Sequence, residues 1–239
     1  MKNQLWRAPC AATSAWLAVI AVALVTLAGS TAMAQNPEMQ QQIQQSVAAN
    51  KQRLAHYTWQ EQQTVSLKGE VKSQTLYQVQ MGPDGKPQKT QLSAPPPPPS
   101  GRRMKERIIE KKTEELKQYA QQISNLVHSY VPPDPGKMQQ AFQQGSAALS
   151  KAGAGTVQVA FTNYNQQGDS MTLVFDTAQK GIKSVQVSSY LNNDPKDAVT
   201  FSAQFSKLPD GTNYMSNATV NGEKEHLTIQ IQNTNYQMM

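Results

Sequence analysis

The chain has 239 residues with 38% hydrophobic and 16% charged residues, 22 basic against 16 acidic, and one cysteine. Both fractions lie below the globular norm, and amides fill the gap: 31 glutamines follow residue 34. The single cysteine, Cys10, excludes a disulfide scaffold, a thiolate metal site and a cysteine nucleophile once the leader is lost.

Residues 1–34 have the three parts of an export signal. Lys2 and Arg7 form a positive start, Ala11–Leu27 an apolar stretch broken only by Thr13, Ser14 and Thr26, and Ala32-Met33-Ala34 a small-residue site. Cleavage is expected after Ala34, releasing a chain with 20 basic and 16 acidic residues into a periplasm or the medium. The alternative is a retained anchor, for which the apolar stretch is marginal. Cys10 lies before that stretch rather than after it, which argues against lipid attachment there.

Residues 35–239 read as a single α+β domain. Pro37 opens a helix over 37–56 with Met39, Ile43, Val47 and Leu54 on one face and glutamines on the other. A hairpin follows over 57–93. Tyr57, Trp59, Glu61, Gln63, Val65 and Leu67 share one strand face, Lys68-Gly69 makes a tight turn, and Val71, Thr75, Tyr77, Val79 and Met81 share the return face. Glu61 and Glu70 read most simply as outward polar residues. Gly82-Pro83-Asp84-Gly85 is a turn signal, with a short third strand near Gln88–Leu92.

Pro95–Pro99 lies in a proline-rich spacer, 94–101, in which five prolines span about 15 Å as polyproline II; an SH3-type ligand is the alternative. The stretch 102–150 is expected to be helical. Met104, Ile108, Leu116, Tyr119, Ile123, Leu126 or Val127, and Tyr130 recur at helical spacing over 102–130. Val131-Pro132-Pro133-Asp134-Pro135 ends that helix, and a shorter one carries Met138, Phe142, Gly145 and Leu149 on one face. Arg102, Arg103, Lys105 and Arg107 are a candidate contact for a membrane surface. Glu106, Glu110, Glu114 and Glu115 dilute that charge and favour a salt-bridged, solvated face instead.

From Thr156 the period becomes two. Apolar rows (Val157, Val159, Phe161; Met171, Leu173, Phe175; Val185, Val187; Val199, Phe201, Ala203, Phe205; Tyr214, Ala218, Val220; Leu227, Ile229, Ile231) alternate with Thr, Ser, Gln and Asn. Short turn signals between them predict an antiparallel meander over 156–236 with one apolar face. That face needs a cover, and the helices are the available one. The expected fold is therefore a curved antiparallel sheet, an open half-barrel of about 8–9 strands, with helices on its apolar concave face.

The Tyr57-Thr58-Trp59 step, the Leu67–Tyr77 hairpin and the order of elements resemble the lipoprotein-carrier and outer-membrane lipoprotein-sorting superfamily. The long charged helix after the first hairpin, and the proline run before it, depart from that pattern. The resemblance implies an incomplete barrel whose concave face holds acyl chains or a lipid-modified partner. Independently, incomplete helix cover leaves an apolar cleft suited to such ligands; its candidate lining is Trp59, Tyr77, Leu116, Tyr119, Ile123, Phe142, Phe161, Phe175 and Phe201. The same residues also fit a filled core.

His56, His128 and His226 lack partners at ligand spacing, so neither zinc nor another metal or cofactor is expected. The Asn192–Asp197 loop is oxygen-rich but lacks the glycine and distal glutamate of a calcium loop, and reads as a turn. Phosphate-loop, nucleophile-elbow and zincin motifs are missing. The leading expectation is a non-enzymatic, monomeric carrier in the cell envelope for a hydrophobic ligand or lipidated partner, with nucleic acid excluded as partner. A structural envelope protein without a cavity is the main alternative, and a hydrolase with a dispersed acidic site the weaker one.

Overall fold

The structure is a computed structural model that describes residues 37–83, 85–92 and 103–239, with side chains in the last segment from residue 113. The export signal, the Pro95–Pro99 spacer and Arg102 lie outside the described residues, as do the side chains of Arg103, Lys105 and Arg107.

Among the described residues, ten strands form one open antiparallel sheet and three helices cover it. The helices are α1 (Pro37–Leu54), α2 (Arg103–His128) and α3 (Pro135–Gln143). The strands are β1 (Tyr57–Leu67), β2 (Glu70–Met81), β3 (Pro87–Gln91), β4 (Ala147–Gly153), β5 (Thr156–Thr162), β6 (Ser170–Asp176), β7 (Gly181–Tyr190), β8 (Ala198–Lys207), β9 (Asn213–Gly222) and β10 (Leu227–Met238). Their order is β3-β2-β1-β10-β9-β8-β7-β6-β5-β4, so β3 and β4 are the free edges and the sheet does not close. Two meanders are joined where β1 lies antiparallel to β10, from Tyr57 opposite Met238 to Leu67 opposite Leu227.

This order dictates where the helices go. The chain leaves one edge at β3 and re-enters at the other edge, β4, so α2 and α3 must carry it across the sheet. Nine strand spacings come to about 43 Å, and the 26 residues of α2 extend about 39 Å. Tyr119 and Ile123 of α2 are buried beneath it, and Ile43 and Val47 of α1 fill the neighbouring part of the apolar face.

Strands β5 to β8 bury alternate side chains, as period two demands. Met171, Leu173, Phe175, Val159 and Val185 have no measurable exposure. A bulge between Val174 and Phe175 places Ile182 opposite Phe175, which adds Ile182 to the inward row ahead of Val185 and Val187. The β1–β2 connection is the two-residue turn Lys68-Gly69, with φ of 51° and 81°; positive φ at both positions is the type I′ geometry that matches strand twist.

One element differs from expectation. Leu149 does not continue the α3 face; α3 ends at Gln143 and 147–153 is a strand, which brings the sheet to ten. The cause is local. Gly145, with φ 71°, sits one past the cap residue Gln144; its N–H donates to Phe142 O and Ser146 N–H donates to Ala141 O. These two bonds form a Schellman stop. At the other end Asp134 caps α3, its side chain accepting from Lys137 N at 3.0 Å, with Pro135 in the first turn.

Candidate functional site

Most of the space between sheet and helices is filled. Phe142 and Phe161 meet edge-on at 5.9 Å, and Phe161 meets Tyr164 at 5.3 Å. Tyr130 stacks on Tyr164 and donates to Asp169 at 2.5 Å. Asp169, 2% exposed, also accepts from the backbone N–H groups of Tyr164, Asn165 and Gln166. Burial first, then the Asp169 hydrogen bond, pushes the Tyr130 hydroxyl well above the usual tyrosine range. Tyr119 similarly donates to buried Asp197 at 2.8 Å. Both tyrosines are fixed anchors for the helical layer, and Asp197 belongs to a closed turn in which Asn192 Nδ2 also donates to it.

Among the described residues, a partly open cavity of about 130 Å³ lies where α1, β1, β10 and the α2–α3 connection converge. Val47 and Leu54 of α1 form one wall, Trp59 of β1 with Ile231 and Tyr236 of β10 another, and Val131, Pro132 and Pro133 a third. Phe175, Phe201, Phe205 and Met215 make the floor. Asn50, Lys51, His128 and Lys180 also line it. An apolar void of roughly 150 Å³ admits benzene, so this one suits a ring or a short run of methylenes.

Trp59 organises the β1 wall. A register shift between Thr58 and Gln60 against β10 lets its ring stack on Tyr236 at 5.4 Å and 13°. Tyr236 in turn tilts against Tyr214 at 4.4 Å. Burial, chiefly, raises the Tyr236 hydroxyl far above its ordinary range.

Glu61 corrects the sequence reading. It is not an outward polar residue: it lies two residues from Trp59 on the inward face, 4% exposed, and lines the cavity. Lys89 of β3 reaches over the Tyr77 ring, 5.9 Å from its centroid, and donates to Glu61 Oε1 at 2.5 Å. Tyr77 and Asn233 flank Glu61 directly on the two neighbouring strands. His128 is exposed on one side but crowded on the other; burial, then Lys89 and Lys86, hold its imidazole below the usual histidine range.

Of the nine sequence candidates, the cavity gathers Trp59, Phe175 and Phe201. Tyr77 stands beside it with Lys89. Leu116, Tyr119 and Ile123 pack α2 onto the core, and Phe142 and Phe161 belong to the filled aromatic cluster. Glu61, Asn233, Val47 and Ile231 also line the cavity without having been singled out as site candidates. Among the described residues no cluster of three His, Cys, Asp or Glu side chains could hold a metal ion, and no helix is long and apolar enough to cross a membrane.

No family model and no curated protein matches the chain. Among solved structures it is similar to a DUF1329 family protein from Desulfovibrio piger, at TM-score 0.40 and 7% identity, covering 83% of this chain and 92% of that one. It is likewise similar to a LolA superfamily protein from Nitrosomonas europaea, at TM-score 0.40 and 8% identity over 83% and 93% of the two chains. Likeness at this level carries no argument about ligand or activity.

Proposed function

We propose that the chain is a non-enzymatic exported binding or carrier module that holds part of a hydrophobic ligand, or of a lipid-modified partner, in the Trp59 cavity. One observation supports this reading most: an apolar cavity bounded by Val47, Trp59, Phe175, Phe201 and Ile231 is left in a core that is otherwise filled. Natural cores leave few voids larger than a water molecule, and concave apolar sites with a few polar groups are the usual form of small-ligand sites. At about 130 Å³, the cavity takes the first few atoms of a ligand, and any longer chain leaves through the open side. The filled core elsewhere favours the second reading, a structural envelope protein whose amide- and hydroxyl-rich outer sheet face is its contact surface.

The three tryptophans are Trp6, Trp16 and Trp59, which makes the test direct. In the full chain with Trp6 and Trp16 replaced by phenylalanine, emission from Trp59 reports on the cavity alone. A saturable change on titration with a fluorescent fatty-acid probe, together with lipid in organic extracts of the purified protein, is the expected result. A flat titration and a lipid-free extract leave the structural reading in its place.

A further inference from the structure

The lining of the Trp59 cavity sorts by exposure. Its apolar members, from Val47 to Phe201 and Ile231, are buried or half-buried apart from Pro132. The other exposed members are Lys51 of α1, Lys89 of β3, His128 at the end of α2, and Lys180 just before β7. An apolar space therefore has a basic solvent-facing rim. The carboxylate in the lining is Glu61, which Lys89 already pairs at 2.5 Å. Three lysines less one glutamate leave the lining at +2 with His128 neutral. Among the described residues no carboxylate pairs with Lys51 or Lys180. Part of the rim is visibly clustered. A Cβ on Gly85 would lie 3.4 Å from Lys51 Nζ, which sets that ammonium beside the β2–β3 turn, next to Lys86. After burial, the charges of Lys89 and Lys86 hold the His128 imidazole below its usual range, so the field on that side is positive.

We propose that this rim recognises the anionic head of a single-chain amphiphile, a carboxylate or a phosphate ester, whose apolar end enters the space floored by Phe175, Phe201 and Phe205. The inference rests on the binding reading above and names the ligand class for that site. Lysine stems continue an apolar wall outward while their ammonium groups stay in water. Chain and head are thus met in the order in which an amphiphile presents them. Each solvated ammonium contributes modestly on its own, but a cleft lined by one sign of charge over low-dielectric walls focuses the field. The same rim repels an ammonium head and gives a neutral one nothing.

Calorimetric titrations of the full chain with octyl sulfate, octylammonium chloride and octan-1-ol, which share one chain, isolate the head. At low salt octyl sulfate is expected to bind about tenfold or more tightly than octylammonium, and the gap should narrow as salt is raised. Lys51→Gln and Lys180→Gln should each weaken octyl sulfate about two- to fivefold. Octan-1-ol should stay within about twofold and so report that each variant is folded. Lys151→Gln removes the same charge from β4, outside the lining, and should change neither. In proton NMR, saturating octyl sulfate should raise the His128 midpoint and octan-1-ol should not, with exposed His226 as the internal reference. If a rim variant loses octan-1-ol as well, the anion-to-cation ratio of the unaltered protein decides. Equal affinity for the two charged compounds, Lys151→Gln as damaging as the rim variants, or an unmoved His128 midpoint overturns the head assignment while octan-1-ol binding keeps the cavity reading. Inorganic sulfate competing as well as octyl sulfate overturns it too, since charge without a chain is then what binds. Silence from all three octyl compounds removes the binding reading and this inference together.

Discussion

Gly222, at the end of β9, leaves room for Ile123 of α2: a Cβ on Gly222 would lie 2.6 Å from Ile123 Cδ1 and under 3 Å from two atoms of the Tyr119 ring and hydroxyl. Gly222 stands between Val199 and Leu227 in the sheet, so the backbone beneath it is held from both sides. Helix and strand approach each other as closely as they do because this residue has no side chain.

Gly222→Ala should therefore lower stability by about 1–3 kcal/mol, the cost of forcing one methyl into a packed contact. Ile123→Val removes the Cδ1 that the new methyl meets first. In urea melts of the two single variants and the double variant, the double should lose less than the sum of the singles. A purely additive result would place the helix elsewhere.

Asp169 is a structural carboxylate. It accepts from Tyr130 and three consecutive backbone N–H groups while 2% exposed. Asp169→Asn keeps the size but turns an NH2 toward donors that need an acceptor, and should cost about 2–3 kcal/mol. The denaturation midpoint checks this. Ligand binding at Trp59, in a different part of the core, should survive in the fraction that folds.

The buried tyrosines set an alkaline limit. Tyr164 is pushed up to about 12, mainly by burial, and Tyr119 and Tyr130 are raised further, by burial and then by their aspartate partners. A group whose folded pKa exceeds its unfolded value stabilises the fold fully below the unfolded value, about 10. That contribution is lost as pH rises from there through the folded value, because the unfolded chain gives up its protons first. Stability should hold to about pH 10 and then fall, with a limiting slope of about 1.4 kcal/mol per pH unit for each tyrosine. Urea midpoints from pH 8 to 12 test this, and Tyr119→Phe should make the decline shallower.

His128 acts on the acid side. Its pKa is lowered by burial and by Lys89 and Lys86, so the neutral imidazole suits the folded state. Its contribution is present above about 6.5 and is lost as pH falls toward the folded value. Proton NMR titration of its ring should give a midpoint below 6.5, and Lys86→Gln should move it upward.

How far the sequence disclosed this molecule follows from what a one-dimensional pattern can encode. Period two from Thr156 marked all six later strands, because each buries one face and wets the other. Lys68-Gly69 marked its turn through Gly69, since glycine takes a positive φ without a Cβ penalty. Leu149 was misread because Met138, Phe142, Gly145 and Leu149 keep near-helical spacing straight through a helix stop; Gly145 was the available signal. No pattern says which strands are neighbours, so the β1–β10 seam was not legible, nor was the side of the sheet that Glu61 faces. The nine aromatic and aliphatic candidates divided for the same reason. Hydrophobicity marks what is buried and not whether the space beside it is filled, so Trp59 and Phe201 border the cavity while Ile123 and Phe161 lie in the packed interior. Asn233, neutral and polar in a strand full of amides, carried no signal of its own.

The seam between β1 and β10 also fixes when the molecule can be finished. Tyr57 waits for Met238, so β1, made early, finds its β10 neighbour only once β10 has followed. Until then the β1–β2 hairpin has one bare flank that offers its amides and carbonyls to any passing strand, and such distant pairing is slow to form. The amide-rich segments on both sides of the seam are thus unguarded throughout synthesis, and a chain shortened by its final dozen residues would never lose that hazard.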